Sequence, residues 1–139
     1  MLLRMSDSLP PKFIPRLKAA PKIRQLYWCD FPKDAQLPEL WKKRPVIILS
    51  KTATLYGTVV IIPCSTKSNQ DPRLSYRLTT TIDGRDAWAI CDKPTTVAVS
   101  RLTTEQGNIP RLKEIEFNEL LEVFFSLLPA RRAKKDVVS

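Results

Sequence analysis

The sequence predicts a mostly β fold: a small, curled, largely antiparallel sheet forming a barrel, with one α-helix at its C-terminal end. Three observations carry that expectation. The apolar runs are short and rich in β-branched residues, Val46–Leu49 and Val59–Ile62 being the clearest. Polar stretches and turn residues separate them, among them Asp83-Gly84 and Asp92-Lys93-Pro94. Near the end the apolar spacing changes to threes and fours, at Phe117, Leu120, Leu121, Phe124, Leu127 and Leu128. A length of 139 residues suits one hydrophobic core, and a hydrophobic content of 43% with only three glycines suits a folded globule.

In chain order, residues 1–23 hold four prolines, Pro10, Pro11, Pro15 and Pro21, among lysines and arginines. Proline fixes φ and lacks the backbone donor, so this is expected to be an extended, poorly ordered arm with no apolar face. "RQLYWCDF" reads as the first strand, ended by Pro32. "PKDAQLPELWKK" has two prolines and no clean period, which predicts a long loop. "PVIILS" and "TVVIIPC" are strands joined by "KTATLYG", and their unbroken apolar runs imply cover on both faces. "STKSNQDPRL" is a polar loop, "SYRLTTTI" a half-exposed strand, and "DAWAICD" and "TTVAVSRL" two further strands, about six in all. The helical segment keeps Glu116, Glu119 and Glu122 mostly off its apolar face and near its positive end, and Pro129 stops it. The body is thus expected at residues 24–129, followed by a basic tail, 130–139.

The net charge of +9 sits mainly on the two ends: residues 1–24 hold six Lys or Arg against one Asp, and residues 130–139 hold four against one. The body keeps only a modest basic bias, whose position matters more than its size. No apolar run approaches the roughly twenty residues that a bilayer requires. The start, "MLLRMSDS", has no apolar stretch of the secretory kind. A cytoplasmic protein without a membrane partner is therefore expected. Cys29, Cys64 and Cys91 lie far apart inside apolar stretches, so buried, reduced thiols are expected. With no C-x-x-C and no histidine, neither a metal site nor a cofactor is expected. The missing histidine also excludes Ser-His-Asp, Cys-His and paired-histidine chemistry.

The ordered set "QLYWCDFP", "KRPVIILSK", "TVVIIPCSTK", "AWAICDKPTTVAVSRL" and an amphipathic C-terminal helix resembles the MazF/PemK (Kid-like) toxins of type II toxin–antitoxin modules, over roughly residues 24–128. Its strongest parts are Arg44-Pro45-Val46 and the step Pro63-Cys64-Ser65-Thr66-Lys67. The resemblance implies an SH3-like small barrel, shared with CcdB-type toxins, that forms a homodimer. It also implies a metal-independent endoribonuclease that cuts single-stranded RNA, including mRNA, and is silenced by a cognate acidic antitoxin. Position by position, it implies Arg44 as the active-site arginine, Ser65 as the hydroxyl residue that is usually threonine, and Asp92 as the aspartate of a "C-D-Q" turn. The chain departs from the pattern at Ser65, at Lys93 in place of the glutamine, and at Ile90, where some Kid-like members carry an arginine used as an acid. The general acid is left unassigned by that last departure.

The chemistry of those residue types fits. RNA cleaves when its own 2′-hydroxyl attacks the adjacent phosphate, which requires alignment, charge neutralisation and the movement of two protons. A guanidinium at Arg44 can fork onto two phosphate oxygens, and the start of a buried strand is a rigid mount for it. Its alternative is a solvated surface arginine beside Lys42 and Lys43. Ser65 can donate to a phosphate oxygen or be an ordinary turn serine, and Thr66 competes for its role. Asp92 can act as base, orient Arg44, or merely cap a turn. Thr66, Lys42, Lys43, Lys67, Arg73, Arg77 and Lys93 form the expected RNA-binding set, against the alternative of a solvated charged face. Trp41, Tyr56 and Trp88 can stack on unpaired bases or pack in the core. The rival to the enzyme is a non-catalytic member of the same fold, an RNA-binding barrel or a gyrase-poisoning toxin.

Overall fold

A computed structural model describes residues 9–32, 34–38, 40–104 and 109–131. Most of the basic tail and the first eight residues lie outside them. Seven strands form one antiparallel sheet: β1 (Leu26–Asp30), β2 (Lys43–Ile48), β3 (Thr58–Ser65), β4 (Ser75–Arg77), β5 (Trp88–Ile90), β6 (Thr95–Ala98) and β7 (Leu102–Thr103). The order is β4-β5-β3-β2-β1-β7, with β6 also pairing β3. The strands curl as a barrel wall does, but β4 and β7 end the path without pairing each other, so the sheet stays open. One helix, α1 (Glu114–Ser126), closes the chain's described part.

Two departures from the sequence reading concern strands. "TTVAVSRL" is not one strand: a 3₁₀ turn at Val99–Arg101 divides it into β6 and β7, which lets the chain leave β3 and reach β1. "SYRLTTTI" is ordered as a strand only over Ser75–Arg77. Beyond it, Asp83 and Gly84 both take positive φ (53° and 72°), and Ile82 and Arg85 bond reciprocally across them. That is the two-residue turn chemistry that Asp-Gly favours.

β3 is the axis of the fold. One edge bonds β2, and the other serves two partners in turn, β6 along Thr58–Ile61 and β5 along Cys64–Ser65. Pro63 stands between those two partners, where a missing amide leaves no ladder bond unmade. Alternation along the central strands splits the core in two. Val46, Ile48, Val59 and Ile61 join Tyr27, Cys29, Val97 and Leu102 in an inner cluster. Ile47, Ile62, Cys64 and Ala89 face the other way, where Phe117 and Leu120 of α1 cover them.

The helix buries Phe117 and Leu120, half-buries Leu121 and Phe124, and leaves Phe125, Leu127 and Leu128 exposed past its contact with the sheet. Glu116 is buried in the first turn and accepts from the Thr79 amide and hydroxyl (the latter at 2.9 Å). The Tyr76 hydroxyl donates to Glu119. The arm contributes to the buried interior: Leu17 is 8% exposed and packs in the inner cluster, and Pro21 is fully buried. Beside it, Arg16 pairs with Asp30 at 2.8 Å.

Candidate active site

Pro45 determines where the sheet opens. The β2–β3 ladder runs through Ile48↔Ile61, Ile47↔Ile62 and Val46↔Pro63, and the Leu49 amide donates to the Val60 carbonyl at 2.9 Å. Antiparallel pairs alternate between bonded and non-bonded. The β2 amides facing β3 are therefore those of residues 49, 47 and 45, and residue 45 has none. The ladder stops there. Continued across the break, the same register sets Arg44 opposite Ser65. On its other side Arg44 is still paired, with Cys29 of β1.

The row extends further. Ser65 pairs with Trp88 of β5, and Trp88 with Arg77 of β4. Directly opposed residues share a face of a sheet, so Arg44, Ser65, Trp88 and Arg77 line up across four strands. By the same alternation this row continues the face of the inner cluster, on the side away from α1.

Within the row, hydrogen bonding leaves reactive capacity free. Arg44 is half-buried, and its Nε donates to the Trp41 carbonyl at 3.0 Å. Its two terminal nitrogens have no partner among the described residues. Burial lowers its pKa from the ordinary value, but a guanidinium starts so far above neutrality that it stays charged. The Ser65 hydroxyl oxygen accepts from the Lys67 amide (3.2 Å) and the Gln70 side-chain amide (3.5 Å). A serine that accepts twice still has its own proton to donate. Gln70 also donates to the Lys67 carbonyl at 3.2 Å, which pins the turn after β3.

The other expected residues divide. The Lys93 ammonium reaches the Pro38 carbonyl at 3.3 Å and ties the turn after β5 to the loop before β2. Lys42 lies 5.1 Å from the Trp41 ring centre and Lys43 5.7 Å from that of Trp28. Arg77 sits 5.9 Å from the Trp88 ring centre and pairs with Asp86 at 2.8 Å. Arg73 is committed locally, forked onto Asp71 at 3.3 and 3.0 Å. Lys67 is exposed and Thr66 half-buried. Asp92 is exposed in the turn after β5 and has no hydrogen bond or ion pair to Arg44 or Ser65 among the described residues. Tyr56, 85% exposed, lies in a different place, beside a groove of about 1040 Å³ walled by the arm at Pro10–Arg16.

Gln70 and the role of Pro45 escape sequence reasoning. A glutamine in a polar loop carries no signal, and Pro45 acquires meaning only once the register is known. Among the described residues no three His, Cys, Asp or Glu side chains are grouped to hold a metal ion, and no helix is long and apolar enough to cross a membrane.

An open antiparallel sheet with one covering helix is the frame that carries this row. The chain matches the family described as "PemK-like, MazF-like toxin of type II toxin-antitoxin system" over residues 22–125, and it belongs to that family. Among solved structures it is similar to MazF (Form-I) from Deinococcus radiodurans, with 17% identity over 77% of this chain and 94% of that one, and a TM-score of 0.60. It is also similar to the Mycobacterium tuberculosis toxin MazF-mt6, with 19% identity over 74% and 94% of the two chains and a TM-score of 0.55. A third is an endoribonuclease in complex with its cognate antitoxin from mycobacterial species, with 18% identity over 81% and 100% and a TM-score of 0.57. At these identities the likeness establishes the fold. Comparison with curated protein sequences gives no match.

Proposed function

We propose that this chain is the RNA-cutting partner of its module, a metal-independent endoribonuclease acting on single-stranded RNA, mRNA included, in the cytoplasm. The observation that carries this reading is the register of β2 and β3, which, continued past its last pair, puts a half-buried guanidinium opposite a hydroxyl with a free proton. Arg44 takes the charge that builds on the phosphorane, and Ser65 donates to one of its oxygens. Asp92 serves as base for the 2′-hydroxyl once RNA bridges the gap between the turn after β5 and the row. Lys42, Lys43, Thr66, Lys67, Arg77 and Lys93 hold the backbone, with Arg73 farther along it. The active species is a homodimer, and a cognate acidic antitoxin silences it. In support of that partner, solved relatives include an endoribonuclease with its cognate antitoxin and a MazE–MazF complex.

The test is chemical. In EDTA, the purified protein should cut a single-stranded RNA and leave a 2′,3′-cyclic phosphate, or its opened 3′-phosphate, with a 5′-hydroxyl. The attacking 2′-oxygen stays bonded to phosphorus and the 5′-oxygen leaves with a proton, which fixes those ends. A 2′-deoxy substitution at the scissile position should block cutting and preserve binding. Ser65→Ala should slow the reaction and Ser65→Thr should be tolerated. Magnesium-dependent cutting that leaves a 3′-hydroxyl would defeat the mechanism. Binding without any cutting of a long, varied RNA would favour the non-catalytic alternative, which Ile90 in place of an acid-bearing arginine supports.

A further inference from the structure

Each of the three tryptophans in this chain carries a cation near its ring, but they occupy different positions. Trp41 is in the loop before β2. Trp28 is paired with Pro45, so alternation turns it to the face opposite Arg44. Trp88 alone stands in the row, directly opposite Ser65. It is half-buried, so its body is fixed while part of its ring meets solvent. Beyond it Arg77, whose side chain is 65% exposed, lies 5.9 Å from the ring centre and is held by Asp86.

Resting on the reaction proposed above, we infer that Trp88 is the stacking platform for one nucleobase, that of a nucleotide adjoining the scissile phosphate, and that Arg77 takes the next phosphate. Neighbouring strands lie about 4.8 Å apart. A phosphate held between Arg44 and Ser65 is therefore one strand from the Trp88 ring and two from the Arg77 guanidinium. A base with its own phosphate spans that kind of interval. An indole accepts any base face, while a guanidinium beside it supplies charge and can itself stack on a ring. Trp88 is thus a specificity-determining residue at one position of the substrate, selecting an unpaired nucleotide there.

The experiment uses the full chain and a short single-stranded RNA spanning a mapped cut site, with 2′-deoxyribose at the scissile position so that binding is read without cutting. Trp88→Ala should weaken binding about tenfold to a hundredfold, and Trp88→Phe should recover most of it. Abasic nucleotides are then placed singly on each side of the scissile bond. At one adjoining position the abasic substitution should weaken wild-type binding by the same factor and Trp88→Ala binding no further. Arg77→Ala should reduce the salt dependence of binding without altering that abasic profile. A Trp88→Ala variant that loses affinity equally at every abasic position, or loses none, overturns the assignment. Because Trp88→Ala can also disturb folding, the unaltered protein gives an independent reading. RNA carrying 5-iodouracil at single positions should photo-crosslink to Trp88 from one adjoining position, and a crosslink map that omits Trp88 overturns the proposal. A wild-type protein that crosslinks through Trp88 but never cuts RNA would remove the proposed reaction and leave the platform standing.

Discussion

Two charged neighbourhoods of this sheet obey opposite rules. Beneath α1 the carboxylates are consumed by the fold: Glu116 is buried with both oxygens bonded to Thr79, and Glu119 accepts from Tyr76. Burial, then the Glu119 bond, pushes the Tyr76 phenol above its ordinary value, so it stays a donor. At the opened end four cations have neutral partners, and Arg77, at the far end of the row, is the exception in its pair with Asp86. Arg44 and Lys93 rest on backbone carbonyls, and Lys42 and Lys43 lie near indole rings. None of the four has a carboxylate partner among the described residues. A neutral partner orients a cation without neutralising it. The same chemistry of charged side chains thus gives anchoring in one place and a standing attraction for anions in the other.

Substitutions can break this contrast, and the largest effect belongs to Arg44. Arg44→Ala should lower single-turnover cleavage by about 10²–10³, while stability moves by no more than about 0.5 kcal/mol. Arg44→Lys should recover little, since a point charge cannot fork across two oxygens. A loss of stability matching the loss of rate would make Arg44 a structural residue like Glu116. On the other side of the sheet the weights reverse. Leu120→Ala should cost about 2–5 kcal/mol in urea titration, with activity per folded molecule unchanged. Leu127→Ala, at 36% exposure, should stay within about 0.5 kcal/mol. Equal costs at 120 and 127 would mean that the exposed end of α1 is covered in solution.

Glu116→Ala should cost about 1–3 kcal/mol, because it strands the Thr79 amide and hydroxyl together. No change there would show that the clamp under α1 is not structural. The smallest effect is expected of the thiols. Burial pushes Cys29 and Cys91 up to about 12, and Cys64 is raised as well, chiefly by burial. Only the thiolate is nucleophilic. A thiol-specific reagent at pH 8 should therefore find no reactive cysteine in the native protein and three after denaturation. A fast-reacting thiol in the folded state would place one of them outside the core.

The central strands were legible because Val46–Ile48 and Val59, Ile61 and Ile62 are buried, on both faces of the sheet, and nearly continuous apolar runs report that directly. The helix was legible through Phe117 and Leu120, but its last apolar residues continue the pattern beyond the contact with the sheet. Periodicity says which residues share a face and nothing about where the opposing surface ends. Leu17 gave no signal, since one leucine among prolines has no period, yet it fills a place in the inner cluster. For the site, residue type pointed to Arg44 and Ser65 one by one. Their juxtaposition depends on register, which is set by pairing between strands and not by the chain that joins them. Trp88 and Arg77 join the row only through β5 and β4, short strands whose partners no local pattern names.

The opening at Arg44 depends on a hydrogen atom that residue 45 lacks. Every other amino acid brings that hydrogen in the same place on the backbone. In a saturation scan, position 44 should rank its substitutes by chemistry, with planar cations above point charges and neutral side chains last. Position 45 should show a nearly flat profile instead, all replacements closing the gap toward the Cys64 carbonyl alike, whatever their size or charge. A side chain is selected at one position and an omission at the next.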